Sequence, residues 1–433
     1  MRIVVRASDA RVARDAQAQL AGAGVETLAL AGPARPAPNG EDIAIFPNAE
    51  DAASAEALRA SAAPPIACLS AHRWASPPPL GLDAGGGFTG AIALDAPPKL
   101  LAAQIEAWTR VAVAEEERAR RVRTASALDI APPQPLEPRR LKALYIGAPS
   151  SMFLALERAL AEQHGVVAAA FSSYAGFDHL HDEPFDAVVL NGAQDAQTAV
   201  SLCAALRRNA TLYHLPTMVI VASGDAETAK AAIARGASAV ATVNAPCGPS
   251  LGWLFEAVRR ERRRRAAEHD MLSLRDLMGD PRTGLWRRGA FDAHLARLAG
   301  DHHASGRPLS LAALRVLPAH GARKPAEEVW RKGFTEVASL AARLMRDADC
   351  GVTLGGDLIA VALPAAPMQS ARRTAERIAS VAECTAFAAG DGSAGPLVFE
   401  QSAVELQPGE SGAGLLARAL RAIDMDSAPA ETG

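Results

Sequence analysis

Short apolar runs alternate with helical patterns over residues 1–113 of the chain. This alternation is typical of an α/β domain in which each strand of a parallel sheet is followed by a helix. A last helix is predicted around Pro98–Val113. The predicted strands are Ile3–Arg6, Val25–Ala29, Ile43–Phe46, Ile66–Ser70 and Ala91–Leu94. The pattern therefore predicts a doubly wound α/β domain at the start of the chain.

The same alternation starts again near Leu141. The predicted strands of this second α/β domain, residues 138–258, are Ala143–Ile146, Val166–Ala170, Ala187–Leu190, Met218–Val221 and Ala239–Val243. Between the two domains, residues 114–137 begin as a charged helix and end in a proline-rich stretch, which is typical of a stiff linker. The chain therefore repeats a fold, with no evident repeat of sequence.

A long amphipathic helix is predicted from Leu251 to about Leu277, with residues 259–278 as a second linker. It contains the most basic run of the chain, Arg259–Arg265, in which six arginines surround one glutamate. A solvated helix face is the preferred interpretation. Contact with an acidic partner or with nucleotide phosphates stays open, and nucleic-acid binding comes third because no aromatic platform accompanies the run.

A different pattern fills residues 279–433. A helix at Phe291–Leu298, a strand at Leu309–Val316 and a helix at Ala326–Met345 are followed by two apolar runs around Gly355-Gly356. Glycines between two apolar runs predict a β-hairpin, here over residues 352–363. The chain is thus predicted to contain three domains.

Composition narrows the class of protein. Hydrophobic residues make up 49% of the chain and charged residues 21%, so sizeable cores can form. The net charge of -3 argues against general attraction to nucleic acid or to an anionic membrane. No apolar run approaches the roughly 18 residues of a membrane helix. The cysteines have no metal-ligand spacing, which indicates reduced thiols in a cytoplasmic protein; they are Cys68, Cys203, Cys247, Cys350 and Cys384.

The third domain resembles the GGDEF domain of diguanylate cyclases, which condense two GTP into cyclic di-GMP. Its hairpin reads Gly355-Gly356-Asp357 at the signature position. Its opening keeps most of the family's first motif, at Asp280, Thr283, Gly284, Leu285, Arg288 and Phe291. The resemblance extends from residue 279 to about 427 and implies the family's α/β cyclase fold.

The resemblance also implies that catalysis is lost. Family members hold Mg²⁺ with two carboxylates, so that a 3′-hydroxyl can attack the α-phosphorus of GTP. Arg315 stands where one of these carboxylates is expected, and only Asp357 of the pair remains. Further departures are Leu317, Leu358, Ile359, Ser427 and the guanine-binding segment, which falls at residues 321–326. The sequence therefore predicts no catalytic residue, no metal and no cofactor.

A product-binding motif of the same family is intact. Arg346-Asp347-Ala348-Asp349 fits the inhibitory Arg-x-x-Asp motif at the family's offset from the glycines. Arginine can bond guanine O6 and N7 or a phosphate with two prongs, and aspartate can accept from the guanine N1 and N2 edge. A surface ion pair is the alternative interpretation. A second arginine is expected, with Arg297, Arg307 and the Arg259–Arg265 run as candidates.

The first two domains resemble response-regulator receiver domains of the CheY-like class. Active receivers need an acidic pair after the first strand and an aspartate that ends the third. These positions fall at Arg6-Ala7 and Phe46-Pro47 in the first domain, while Asn191 stands at the lost phosphoacceptor position of the second. Both domains are therefore interpreted as docking modules that are not phosphorylated.

The favoured hypothesis is a catalytically inactive GGDEF-type effector with cyclic di-GMP as its regulatory ligand, bound at Arg346 and Asp349. The whole chain resembles response regulators with a receiver–receiver–GGDEF architecture. That resemblance implies an adaptor role in cell-cycle-regulated proteolysis, protein partners that include protease-delivery factors, a homodimer and a location at a cell pole. The alternatives are an active diguanylate cyclase and a scaffold that binds no nucleotide.

Three other sequence patterns are weaker indications of a functional site. His179 and His181, and the pair His302-His303, have a minority interpretation as metal ligands. Residues 85–87 are three glycines without the lysine of a phosphate-binding loop, so a turn is predicted.

Overall fold

The computed structural model describes residues 1–32, 41–48, 51–61, 64–79, 87–134, 137, 139–244, 247–318, 326–385 and 397–426. The chain divides into two compact units. Unit 1 comprises Met1–Ala112 and Leu136–Ala266. Unit 2 comprises Val113–Pro135 and Ala267–Gly433.

Unit 1 contains two parallel sheets of five strands each. The first is built from β1 (Ile3–Ala7), β2 (Thr27–Ala31), β3 (Ile43–Phe46), β4 (Ala67–His72) and β5 (Gly90–Ala93), with helices α1 (Ala10–Gly22), α2 (Ala52–Arg59) and α3 (Pro98–Ser126). Its strand order is β2-β1-β3-β4-β5, the doubly wound order that flavodoxin also has.

The second sheet repeats this order. Its strands are β6 (Lys142–Ile146), β7 (Val166–Ala170), β8 (Ala187–Asn191), β9 (Thr217–Val221) and β10 (Ala239–Thr242), arranged β7-β6-β8-β9-β10. The helices are α4 (Ser151–Glu162), α5 (Ser173–Asp182), α6 (Ala196–Arg208), α7 (Ala226–Ala234) and α8 (Cys247–Met278). The prediction of parallel α/β sheets is confirmed.

Helices cover both faces of a parallel sheet, so the side chains on both faces of a strand are buried. This is why these strands are continuous apolar runs in the sequence. All residues of β3 and β9 are buried. Gly90 opens β5 where a Cβ atom would lie 2.0 Å from the Trp108 ring of α3, so any larger residue would displace the tryptophan. The indole Nε1 of Trp108 also donates to the Ala91 carbonyl at 3.1 Å.

The prediction of a solvated arginine face on α8 is wrong. The guanidinium carbons of Arg259 and Arg263 lie 5.4 and 5.3 Å from the centre of the Trp108 ring. Arg262 donates to the buried carboxylate of Asp186 at 2.9 Å. These arginines therefore make contacts inside unit 1 and do not form a solvated face. A long arginine side chain can bury its aliphatic part while its guanidinium contacts a carboxylate or an aromatic ring.

Unit 2 contains a four-stranded antiparallel sheet in the order β12-β13-β11-β14. Its strands are β11 (Leu309–Pro318), β12 (Cys350–Thr353), β13 (Leu358–Pro364) and β14 (Leu397–Glu405). Its helices are α9 (Arg288–Ser305), α10 (Glu327–Leu344), α11 (Met368–Glu383) and α12 (Gly412–Asp426). The predicted order of helix, strand, helix and hairpin is observed.

Alternating burial explains how the sheet of unit 2 packs on both faces. Leu309, Leu311 and Ala313 of β11 join one apolar cluster, while Ala312 and Leu314 join another on the opposite face. Successive side chains of a strand point to opposite faces, so one strand serves both cores. In the part of the chain that the structure describes, no helix is long and apolar enough to cross a bilayer.

Candidate functional site

The glycine hairpin joins β12 to β13 and lies next to β11. Gly355 has φ +147, a backbone conformation that favours glycine. The Trp330 indole of α10 donates to the Gly356 carbonyl at 2.8 Å. The Val316 amide of β11 donates to the Asp357 carbonyl at 2.7 Å. Two backbone carbonyls of the turn therefore accept hydrogen bonds, one from α10 and one from β11, and these bonds hold the turn in place.

Arg315 stands beside this hairpin, opposite Leu358 on β13 and Glu400 on β14. Its guanidinium lies 3.0 Å from the Glu400 carboxylate and 2.5 Å from that of Asp424 on α12. The hydrogen bond to Asp424 contributes most to a raised pKa of Arg315. Both carboxylates are thus already paired with one fixed positive charge, and the three groups together keep a net charge of −1.

That geometry is unfavourable for a divalent cation, because the guanidinium already pairs with both carboxylates and repels a second positive charge. Among the described residues, no group of three His, Cys, Asp or Glu side chains could hold a metal ion. Residues 321–325 of the expected guanine-binding segment, and Ser427, lie outside the described residues.

The Arg-x-x-Asp motif forms the turn between α10 and β12. The Asp349 Oδ2 atom accepts from the Arg346 amide at 2.9 Å, and the Asp349 amide donates to the Arg346 carbonyl at 3.0 Å. The Arg346 side chain is exposed, whereas Asp349 is only 7% exposed. The two residues are neighbours in space, and the aspartate also has a local structural role.

Burial raises the pKa of Asp349 to about 6. The hydrogen bond from the Arg346 amide opposes this shift, as do the positive charges of Arg346, Arg121 and Arg377. The carboxyl group therefore titrates close to neutral pH, in surroundings that contain three arginines and are largely shielded from water.

Sequence reasoning missed Arg377 and Arg121. Arg377 projects from α11, and its Nη2 donates to the Leu344 carbonyl at the end of α10 at 2.8 Å. An exposed arginine on an amphipathic helix carries no signal in the sequence that separates it from its neighbours. Its place beside Asp349 follows from the packing of α11 against α10.

Arg121 donates hydrogen bonds to the backbone of the Arg-x-x-Asp motif. It lies in the part of α3 that belongs to unit 2, its side chain is 1% exposed, and its Nη2 donates to the carbonyls of Asp347 at 2.7 Å and Asp349 at 3.1 Å. Its guanidinium carbon lies 5.4 Å from the centre of the Trp286 ring. One buried arginine thus positions the backbone of the candidate ligand segment.

A buried ionic network in turn orients Arg121. Glu117 accepts from Arg121 Nε at 2.9 Å, from Arg120 Nη1 at 2.5 Å and lies 2.9 Å from His294 Nε2. Burial alone would raise the pKa of Glu117, but His294 and the two arginines hold it far below its usual range. Burial lowers the pKa of His294. The ordered carboxylate fixes the arginine fork that reaches the motif.

The arginines suggested as a second ligand contact lie elsewhere. Arg307 forms a close ion pair with Glu116 of α3, and Arg297 lies on α9. The α8 run, residues 259–265, belongs to unit 1. Within unit 2, Arg377 is therefore the described arginine that shares the surroundings of Asp349 with Arg346 and Arg121.

The remaining predicted positions have local partners. Asn191 ends β8, where its Nδ2 donates to the Ala148 carbonyl at 2.8 Å. The His302 Nδ1 atom lies 3.2 Å from the Arg307 carbonyl, and the His303 Nε2 atom lies 2.8 Å from that of Glu410. His179 lies 3.8 Å from Glu183. Residues 85 and 86 of the glycine triplet lie outside the described residues.

No known protein-family model matches the sequence, and no curated protein matches it. The GGDEF domain of DgcB from Caulobacter crescentus, in complex with c-di-GMP, is 22% identical with a TM-score of 0.30, over 34% of this chain and 86% of that one. The FimX GGDEF domain from Pseudomonas aeruginosa is 17% identical with a TM-score of 0.30, over 34% and 92%. An active GGEEF domain of a Vibrio cholerae diguanylate cyclase is 16% identical with a TM-score of 0.27, over 32% and 88%.

Proposed function

We propose that unit 2 binds cyclic di-GMP at Arg346, Asp349 and Arg377 and does not synthesise it. The ligand would serve as a regulatory signal, and the protein would act as an effector. The observation that carries the proposal is the turn that joins Arg346 to the buried carboxyl group of Asp349, with the Arg346 side chain exposed and the charges of Arg121 and Arg377 also acting on that carboxyl group.

The chemistry of this cluster suits a guanine dinucleotide. The exposed guanidinium of Arg346 presents a planar fork that can bond guanine O6 and N7 or a phosphate. A carboxylate has about four acceptor sites, so Asp349 can keep its bond to the Arg346 amide and still accept from a guanine edge. Arg377, fixed to the end of α10, adds a second positive charge for a phosphate.

The same proposal assigns no catalysis to the hairpin. The ion pairs of Arg315 with Glu400 and Asp424 support this assignment, since a guanidinium stands at the position where the resemblance implies a carboxylate that binds Mg²⁺. Asp357 would remain as a single carboxylate, which is a poor Mg²⁺ ligand by itself.

Calorimetry with cyclic di-GMP on the full chain tests the binding. Arg346→Ala should abolish or strongly weaken the binding heat. Arg343→Ala is the matched control, because it removes an exposed arginine in the last turn of α10, three residues before Arg346. No heat in any of the three proteins would favour a scaffold that binds no nucleotide. Equal heats in all three would contradict binding at Arg346.

A second assay tests the absence of synthesis. The chain is incubated with GTP and Mg²⁺, and the products are separated by chromatography. We expect no cyclic di-GMP above a protein-free blank. Steady product formation would instead favour an active cyclase with an unusual metal site.

For unit 1 we extend the proposal to two receiver-like docking modules, residues 1–113 and 138–258, that are not phosphorylated. Incubation with acetyl phosphate and Mg²⁺ should leave the mass of the chain unchanged, because Asn191 cannot accept a phosphoryl group as a carboxylate does. The adaptor role in regulated proteolysis, the protease-delivery partners, the homodimer and the polar location rest on the family resemblance alone and stay part of this proposal.

A further inference from the structure

An excess of positive charge surrounds one buried carboxylate in unit 1. Asp186, whose side chain is 2% exposed, lies 3.1 Å from Arg139 and 2.9 Å from Arg262. A third arginine, Arg265, approaches it at 3.8 Å but is also paired with Glu261 at 2.9 Å. One negative charge is therefore shared by more guanidinium groups than it can neutralise.

Arg139 and Arg262, together with Arg140, line an open depression of about 610 Å³. Its polar lining consists of Arg139, Arg140, Gln163, His164 and Arg262. All five side chains can donate hydrogen bonds, and the lining contains no carboxylate. The volume lies within the range of about 300–1,000 Å³ that is usual for small-molecule sites.

The acids near the depression do not cancel the surplus. Glu162 at the end of α4 lies 3.3 Å from Arg158, and Glu183 forms a close ion pair with Lys142. Glu261 is shared between Arg264 and Arg265. Of the three arginines in the lining, Arg139 and Arg262 pair with Asp186, and Arg140 bonds a backbone carbonyl. The three lining arginines thus exceed the single charge of Asp186 by two, and the exposed Glu137, two residues before Arg139, is not part of the lining.

The donors are held in place before any ligand arrives. Arg262 Nη2 bonds the Arg139 carbonyl at 2.6 Å as well as Asp186, and Arg140 Nε bonds the His164 carbonyl at 2.9 Å. Burial alone would raise the pKa of Asp186, but hydrogen bonds from Arg262 and the Lys142 amide lower it, so the carboxylate stays charged. Side chains that are already ordered lose less entropy when they bind.

Arg140 also offsets a helix dipole that would otherwise disfavour an anion in the depression. The depression adjoins the C-terminal end of α4, where the helix dipole disfavours negative charge. Because the Arg140 guanidinium bonds a carbonyl just beyond this end, it offsets the dipole locally.

We propose that this depression, named here the Arg139 depression, binds the diphosphate group of a small ligand, supplied either as inorganic pyrophosphate or as part of a nucleoside diphosphate. A diphosphate carries at least two negative charges, which matches the surplus, and its oxygens accept from several guanidinium donors at once. The site lies in unit 1 and does not depend on cyclic di-GMP binding in unit 2.

Calorimetry on the full chain at about 50 mM salt, where surface charges are only partly screened, tests the proposal with inorganic pyrophosphate and with ADP. Arg140→Ala should weaken pyrophosphate binding about tenfold, the worth of one charge-assisted hydrogen bond. Arg262→Lys keeps a charge near Asp186 but loses the fork, and it should weaken binding as well. Arg11→Ala, at a side chain 86% exposed on α1 of unit 1, is the matched control and should leave the affinity unchanged.

The two ligands separate the possible sources of the diphosphate. Tighter binding of ADP than of pyrophosphate would identify a nucleotide site, and the reverse a site for the inorganic ion. Inorganic phosphate is titrated in parallel. Equal affinity for phosphate and pyrophosphate, no binding heat, or equal weakening by Arg11→Ala would each overturn the proposal. It would also be overturned if phosphatidylglycerol vesicles or a single-stranded oligonucleotide bound at Arg140 and pyrophosphate failed to compete. Arg346→Ala should keep pyrophosphate binding, so failure of the cyclic di-GMP proposal leaves this one standing.

Discussion

The Oδ2 atom of Asp349 accepts a hydrogen bond from the backbone nitrogen of Arg346 at 2.9 Å. The Asp349 amide returns a bond to the Arg346 carbonyl at 3.0 Å, so the two residues close a turn. Such local bonds stabilise the end of a helix or the start of a strand. Asp349 therefore serves the fold, whereas the Arg346 side chain is exposed and available to a ligand.

This division predicts different stabilities for two alanine variants. Asp349→Ala should lower the free energy of unfolding of unit 2 by about 1–3 kcal/mol, because a buried amide loses its acceptor. Arg346→Ala should change it by less than about 0.5 kcal/mol, since the side chain is exposed. Urea denaturation followed by circular dichroism measures both. Equal losses would contradict the separation of roles.

The pKa of Asp349, raised to about 6, predicts a pH-dependent affinity. As the pH falls through 6, the carboxylate is protonated and loses acceptor capacity, so the dissociation constant for cyclic di-GMP should rise up to about tenfold per pH unit below the pKa. Calorimetry between pH 5 and 8 measures this. Asp349→Asn should flatten the profile.

The free energy of unfolding of unit 2 should change with pH in the opposite direction to the affinity for cyclic di-GMP. A carboxyl group whose pKa is higher in the folded than in the unfolded chain binds its proton more tightly when folded. Its contribution to stability is present below the unfolded pKa and is lost as the pH rises to about 6. Comparison of wild type with Asp349→Asn in urea isolates this effect. A stability difference between the two proteins that does not vary from pH 4 to pH 7 would contradict it.

Arg121 is predicted to be a positioning residue for the ligand segment. Arg121→Lys keeps the charge but cannot bridge the Asp347 and Asp349 carbonyls, so cyclic di-GMP binding should weaken about fivefold to tenfold. Hydrogen exchange at residues 346–350 should increase. Arg118→Ala is the control, because it removes another α3 arginine, 2.5 Å from Asp270, without touching the motif. Equal weakening by both variants would indicate a general loss of packing.

Arg315→Asp is predicted to convert the ion-pair cluster into an acidic one. The variant should lose about 1 kcal/mol of stability, because Glu400 and Asp424 lose their partly exposed partner and gain a like charge. Added Mg²⁺ should restore part of the melting temperature, since carboxylates now face one another. In wild type, Mg²⁺ should have no effect. Stabilisation of both proteins alike would contradict the role given to Arg315.

The buried network around Glu117 is predicted to dominate the stability of unit 2. Glu117→Gln removes the buried countercharge of Arg121 and leaves Arg120 with the less buried carboxylates of Glu116 and Asp301, which should cost about 3–5 kcal/mol. Glu106→Gln on the same helix is the control, because its pair with Arg110 is exposed and contributes less than about 1 kcal/mol. Urea denaturation of both variants tests the difference.

Local patterns were sufficient for most of the elements. The strand Val166–Ala170 is observed with its predicted bounds, and the predicted hairpin forms around Gly355-Gly356. The predicted charged stretch at Glu115–Arg121 instead continues α3 without a break. Its burial in unit 2 could not be predicted, because an isolated helical pattern does not reveal which charges meet a partner distant in sequence.

The sequence by itself determined the alternation of strands and helices, the hairpin and the positions of Arg346 and Asp349, since periodicity and turn chemistry act over a few residues. Tertiary structure alone decided which charges work together. It placed Arg121 against a carbonyl 226 residues away, Arg377 beside Asp349, and the α8 arginines against Trp108 and Asp186. The reason is physical, because a charge becomes structural or ligand-binding through burial and distance, and neither quantity is local to the sequence.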